Sequence, residues 1–242
     1  VNVIPAINSN FSHHISAGLQ DGTVITGQNS ISHPSAPSAP PPITTSLSRS
    51  DLLENEEETL SPATVHARTL SKELNEHDHI EDANLPGSLP TLRKQYITFA
   101  KTQTSDLPSR IERIWYINPY GQEIRPAANP KVLESIESAS AVIYSIGSLY
   151  TSIIPCLILR DVGNKIRGSN VRHKILILNG SLDRETRAVG CEFSARDFIA
   201  AIAGACKGGQ VGEEEWGTYV THVIHLQGEG TPGVEREELG RL

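Results

Sequence analysis

"AVIYSIGSLYTSIIP", residues Ala141 to Pro155, is the stretch on which the fold turns. Its opening, Ala141-Val142-Ile143-Tyr144, is β-branched and aromatic and reads as a strand. From Leu149 onward the apolar positions Leu149, Ile153, Ile154, Leu157 and Ile158 share one side of a helix. Between the two lie one glycine, Gly147, and the hydroxyls Ser145, Ser148, Tyr150, Thr151 and Ser152. A strand that passes into a helix through so short a turn is half of a strand–helix–strand unit, and such units build parallel sheets.

The neighbouring segments continue that alternation. "RIERIWYINP" (Arg110–Pro119) has strand spacing at Ile111, Ile114 and Tyr116. "NPKVLESIESAS" opens a helix with Asn129 as N-cap and Pro130 at the first helical position. "HKILILNG" (His173–Gly180) is a continuous apolar run, the pattern of a central parallel strand covered on both faces. "SARDFIAAIAGACKGG" is a helix stopped by glycines, and "TYVTHVIHLQG" is a closing strand. Nearer the start, "DGTVITGQNSIS" (Asp21–Ser32) is a turn followed by a hairpin strand, with "ISAGL" as its partner. The fold class is therefore α/β with a mostly parallel sheet and an added β-hairpin.

Composition sets limits on function. The chain has 242 residues, of which 38% are hydrophobic and 20% charged, and no apolar run is long enough to cross a bilayer. It has no methionine, so Val1 is not a native start and the chain is expected to be a fragment. The formal charge of −7 is local. Residues 35–90 hold ten acidic and three basic side chains, and the remainder holds eighteen of each sign. Such a balance gives no reason to expect nucleic acid as a partner. Cys156, Cys191 and Cys206 have no metal spacing and read as reduced thiols, two or three of them packed in the core of a cytoplasmic protein. His77-Asp78-His79 reads as solvated residues in an acidic stretch, and His222 and His225 fall on opposite faces of a strand, so no metal site is expected from them.

Residues 35–90 contain no aromatic side chain and many Ser, Pro, Glu and Asn. That composition cannot offset the entropy of chain ordering, so a disordered insertion is expected, with a transient helix near Thr64–Glu76. The organisation is then a hairpin portion (1–34), the insertion (35–90) and an α/β portion (91–242), the outer two belonging to one domain.

Ligands of layered α/β folds sit beyond the carboxyl ends of the strands. Two loops fall there. In the first, Gly147 permits close backbone approach, Ser148 stands at the N-cap of the next helix, and Thr151 and Ser152 lie in its first turn, within reach of an anion. Plain helix capping accounts for the same residues, since neither GxGxxG nor a P-loop lysine is present. "NGSLDRET" (Asn179–Thr186) is the second loop, with the Asn179 amide, the Arg184 guanidinium and the carboxylates Asp183 and Glu185. Arg184 and Glu185 side by side read as a surface pair. Two such loops on one sheet edge favour a phosphate or nucleotide crevice over either loop alone. No nucleophile stands out, and no catalytic residue is assigned.

"IGSLYTSIIPCLIL" resembles the "GPGSLYTSIIPNLLV" segment of the CofD/YvcK superfamily, and "KILILNGSLDRET" resembles its plant and fungal members. "AGLQDGTVITGQNSIS" and "RIERIWYINP" through "NPKVLESIESASAVIY" are similar to further segments of that family, so the resemblance covers nearly everything outside residues 35–90. It implies a Rossmann-like three-layer αβα fold with a nucleotide-diphosphate site at the strand ends. It also implies one of two activities. The first is that of the magnesium-dependent 2-phospho-L-lactate transferase, which moves phospholactate from a guanosine-diphosphate-activated donor to a deazaflavin alcohol. The second is that of a non-catalytic gluconeogenesis factor-like regulator that binds UDP-sugars. Carried onto this chain, Gly147, Ser148, Thr151 and Ser152 hold phosphate oxygens, with Asn179 nearby and Arg184 neutralising charge. The implied Mg2+ has no ligands within this stretch. The implied partners are a nucleotide diphosphate or nucleotide-sugar, with no membrane; a homo-oligomer is left open. Ser145-Ile146 stands where bacterial members have Gly-Pro. The family's N-terminal glycine-rich loop and its aspartate-containing motif are absent, so the fragment alone is expected to be inactive.

Overall fold

The computed structural model describes residues 2–33, 106–145, 147–168 and 171–235, together with Leu89 and Leu92. The expected disordered insertion, with its transient helix, falls almost wholly outside the described residues, as does Ile146.

Two sheets share one core. In the first, β1 (His14–Leu19) turns through Asp21 and Gly22 into β2 (Val24–Thr26), the antiparallel hairpin expected from the sequence. Gly22 takes φ 85°, a left-handed conformation that glycine adopts without strain. A short helix, α1 (Gln28–Ser32), follows the hairpin. On the other side of β1 lies β3 (Ile111–Ile117), also antiparallel, and β4 (Glu123–Ile124) closes the order β2-β1-β3-β4. The Arg110–Pro119 strand thus joins the hairpin and not the parallel sheet. Its strand spacing was legible, and Ile111, Ile114 and Tyr116 are all buried. The choice of partner is non-local and leaves no mark in its periodicity.

The second sheet is parallel, in the order β5-β6-β7, formed by β5 (Ala141–Tyr144), β6 (His173–Ile177) and β7 (His222–Ile224). α2 (Pro130–Ser138) leads into β5, capped by Asn129, whose side chain accepts from Lys131 N at 3.1 Å, with Pro130 first in the helix. A five-residue π-turn (Leu149–Ile153), α3 (Ile154–Leu157) and α4 (Val162–Arg167) lie between β5 and β6. α5 (Ala195–Lys207) begins with a Ser194–Asp197 capping box and stops at Gly208, φ 78°.

The core runs from Ile15, Ala17 and Ile114 of the first sheet through Leu149, Ile154 and Leu157 to Phe198, Ile199 and Ile202 of α5 and Tyr144, Leu176 and Leu178 of the second sheet. Side chains alternate across a strand. Ile143, Ile175, Ile177 and Ile224 therefore face away from this core, and Ile143 is 56% and Ile224 52% exposed. On that other face Ile175 and Ile177 of β6 are half-buried, so among the described residues the strand is covered fully on one face and in part on the other. The architecture is α/β, with a three-stranded parallel sheet beside a four-stranded antiparallel one. Core placement of two or three cysteines also needs correction: Cys156 and Cys191 are exposed and Cys206 is half-buried, all as free thiols. A short apolar neighbourhood in sequence did not fix which side of a helix each thiol would take.

Candidate functional site

Both loops singled out from the sequence lie at the carboxyl edge of the parallel sheet, because β5 and β6 are adjacent and in register, Tyr144 opposite Leu176. Gly147 follows β5, and a Cβ there would fall 2.9 Å from the Ser152 Cβ. Glycine is thus required by close approach within the loop itself. Ser148 has the extended backbone of an N-cap (φ −55°, ψ 135°), yet its side chain makes no capping bond. Its carbonyl accepts from both Ser152 N at 3.0 Å and Ile153 N at 3.2 Å, which starts the wider π-turn. Ser148 caps with its backbone alone, and Pro155 lies in the short α3 that completes the run.

The cap is supplied from elsewhere. Glu185, 3% exposed, accepts the N–H groups of Tyr150 and Thr151 on Oε2, each at 3.0 Å. Its Oε1 accepts the Thr151 hydroxyl and, at 2.9 Å, the Ser32 hydroxyl from the end of α1. Four donors converging on two oxygens suit a carboxylate, which only accepts. Burial pushes the Glu185 carboxyl above the usual carboxylate range; its bonds from Thr151, Ser32 and the Tyr150 N–H pull the other way, and Asp183 adds to the rise. Thr151 is buried and faces Glu185, whereas Ser152 is exposed. Among the described residues, no acceptor takes the N–H groups of Ser148 and Leu149.

The second loop is a 3-10 turn, Arg184–Thr186, held by a capping box: Asp183 Oδ1 accepts from Glu185 N at 3.1 Å and Thr186 N at 3.2 Å. Arg184 points back at the hairpin, where Nη1 donates to the carbonyls of Ser30 at 2.9 Å and Ile31 at 2.6 Å. Arg184 and Glu185 are therefore no surface pair; both tie this turn to α1, and Glu185 ties it to the π-turn as well. Nothing local in the sequence announced this, since the partners of Glu185 lie 34, 35 and 153 residues away.

Asn179 lines a groove of about 490 Å³ beyond β6 and β7, with Ile177, Ile224 and Leu226 as apolar walls and Ser181, Asp183 and His225 as polar ones. Gly147, Ser148, Thr151 and Ser152 do not line it, so the two loops flank the sheet edge without sharing one wall. For the magnesium implied by resemblance the donor set is poor. Among the described residues no group of three or more His, Cys, Asp or Glu side chains converges, and both carboxylates of the second loop are already engaged by N–H and O–H donors.

Comparison with known proteins follows the same segments. The sequence profile described as "2-phospho-L-lactate transferase CofD" matches residues 1–237. An uncharacterized protein of Saccharomyces cerevisiae is 37% identical over 236 residues, 94% of this chain and 52% of the relative. A protein of Deinococcus radiodurans named "putative gluconeogenesis factor" is 40% identical over 62 residues, 26% of this chain and 12% of that protein. Two crystal structures of a Bacillus halodurans protein of the UPF0052 family share the fold. One has a TM-score of 0.54 at 16% identity and covers 99% of this chain and 51% of that one. The other has a TM-score of 0.50 at 17% identity, covering 96% and 50%. The chain spans about half the length of the yeast relative and of the solved structures.

Proposed function

From the premise that this chain belongs to the CofD family, whose profile matches residues 1–237, we propose that its parent protein binds a nucleotide diphosphate at the carboxyl edge of the parallel sheet. One observation carries this reading. The Gly147–Ser152 loop holds the N–H groups of Ser148 and Leu149 without a partner among the described residues, while Glu185 takes the next two. Open N–H groups at the start of a helical run attract anions. Gly147 lets the loop close tightly on Ser152, Ser148 and Ser152 offer hydroxyls, and Asn179 offers an amide from the neighbouring strand end. Thr151 and Arg184 act behind the loop, through Glu185 and through the α1 carbonyls.

The reaction proposed is transfer of a phospho-substituted group from a nucleotide-activated donor to an alcohol. The alcohol oxygen bonds to phosphorus, the bond to the nucleotide phosphate breaks, and the hydroxyl proton leaves to solvent. The loop's part is to position and neutralise the phosphates. Among the described residues no converging group of donors offers a magnesium site.

A second reading, a non-catalytic sensor of nucleotide-sugars, draws on the local match to the Deinococcus radiodurans gluconeogenesis factor. Calorimetric titration of the full-length protein with GDP and with UDP-N-acetylglucosamine, each with and without Mg2+, separates the two. GDP binding that needs metal supports the transferase; binding of the UDP-sugar alone supports the sensor. Ser148→Asp is expected to abolish either by placing negative charge beside the open N–H groups, and unchanged affinity in that variant would remove the loop from the site.

A further inference from the structure

We infer that Glu185 is the positioning residue of the candidate loop: its carboxylate grips the π-turn from behind and so sets the direction in which Ser148 and Leu149 present their N–H groups. This rests on reading the loop as an anion-binding one. The grip itself stands on geometry. Both Tyr150 N and Thr151 N point at one oxygen, Oε2, at 3.0 Å, and the Thr151 and Ser32 hydroxyls meet the other.

The residue that grips is itself held on three sides. Asp183 fixes the backbone N–H of Glu185 and Thr186. Arg184 anchors the turn to the carbonyls of Ser30 and Ile31. Ser32 donates from the last residue of α1. A π-turn is a rare form of helix, and this one is tied through Glu185 to both α1 and the 3-10 turn. The wider turn starts where two N–H groups are surrendered to Glu185, and the two before them, on Ser148 and Leu149, have no acceptor among the described residues.

A carboxylate so placed has two opposite effects on an anionic ligand, and they predict opposite results. As a fixed negative charge it repels, so its removal would tighten binding. As the clamp of the turn it orients donors, so its removal would weaken binding. The four bonds donated to its two oxygens already answer the Glu185 charge within the turn, so loss of the clamp is expected to outweigh loss of the repulsion.

The test compares full-length wild-type protein with Glu185→Gln and Thr151→Val. Three properties are measured: circular dichroism for the fold, amide exchange by mass spectrometry at Tyr150 and Thr151, and GDP and UDP-N-acetylglucosamine affinity by calorimetry. For Glu185→Gln we expect a retained fold, exchange at those two amides faster by about tenfold, and affinity weaker by about tenfold, the scale of one lost charge-assisted hydrogen bond. Thr151→Val keeps both N–H bonds and should weaken affinity by only about threefold; it carries the test if Glu185→Gln does not fold. Unchanged exchange would show that the clamp does not form. Faster exchange with equal or tighter binding would make Glu185 a packing or repelling group and overturn the inference. Should the wild type bind neither nucleotide, the functional reading falls, and the exchange comparison alone decides whether Glu185 holds the turn.

Discussion

Gly163 shows how much a single hydrogen atom can govern. It sits in α4 where that helix crosses α5, and a Cβ there would lie 1.8 Å from the Cys206 carbonyl oxygen. That neighbour is backbone and cannot rotate aside. Gly163→Ala should therefore cost about 3 kcal/mol in urea unfolding as the two helices are forced apart; a smaller loss than about 1 kcal/mol would mean that the crossing is loose. Residues of this kind divide by how far their partners lie in sequence. Asn129 and Pro130 were legible because a cap and its helix are adjacent, as were Gly208 and the Asp21-Gly22 turn. Glu185 was not, because it works through Tyr150, Thr151 and Ser32, all distant, and an Arg-Glu dipeptide in a loop looks the same whether exposed or buried. Gly147 was legible as a glycine that allows close approach, but the group that approaches is Ser152 of its own loop.

Among elements, α1 is the least self-sufficient. It has five residues, no capping side chain and one buried side chain, Ile31. Helices of that length do not persist alone. Arg184 supplies what it lacks by taking two of its terminal carbonyls. Arg184→Gln should lower stability by about 2 kcal/mol and the thermal midpoint by about 4–8 °C, with amide exchange rising first in α1. A midpoint shift without faster exchange in α1 would place the loss elsewhere. The sequence announced β1, β2, β3, β5, β6 and α5 as elements through alternation, apolar runs and caps. It did not announce that β3 pairs with the hairpin, nor that the helix after Gly147 starts as a π-turn. Pairing and turn width are both decided by partners across the core, and a local pattern carries no record of them.

Across the whole molecule, several described groups in or against the core are held neutral. Burial pushes the phenols of Tyr116, Tyr144 and Tyr150 well above their ordinary 10.0, and the Cys206 thiol from 9.0 up to about 12. In each case the folded value is raised. The stability these groups support is therefore complete below their unfolded values and drains away as pH climbs through 9.0 and 10.0 toward the folded values. The urea midpoint should fall steadily between about pH 8.5 and pH 11, and Tyr144→Phe should flatten that fall, although it forfeits the 2.8 Å bond to the Tyr219 carbonyl. A flat profile would mean that these groups ionise without unfolding. One arrangement at this scale reaches beyond stability. The chain leaves the hairpin at Ser32, bonded to Glu185, and returns at Leu107, which exchanges backbone bonds with Arg187 and Val189. Departure and return thus share one short stretch, 185–189. A fluorescent label at Val189, which is 70% exposed at the end of that stretch, would therefore report on the neighbourhood of Glu185 in a living cell.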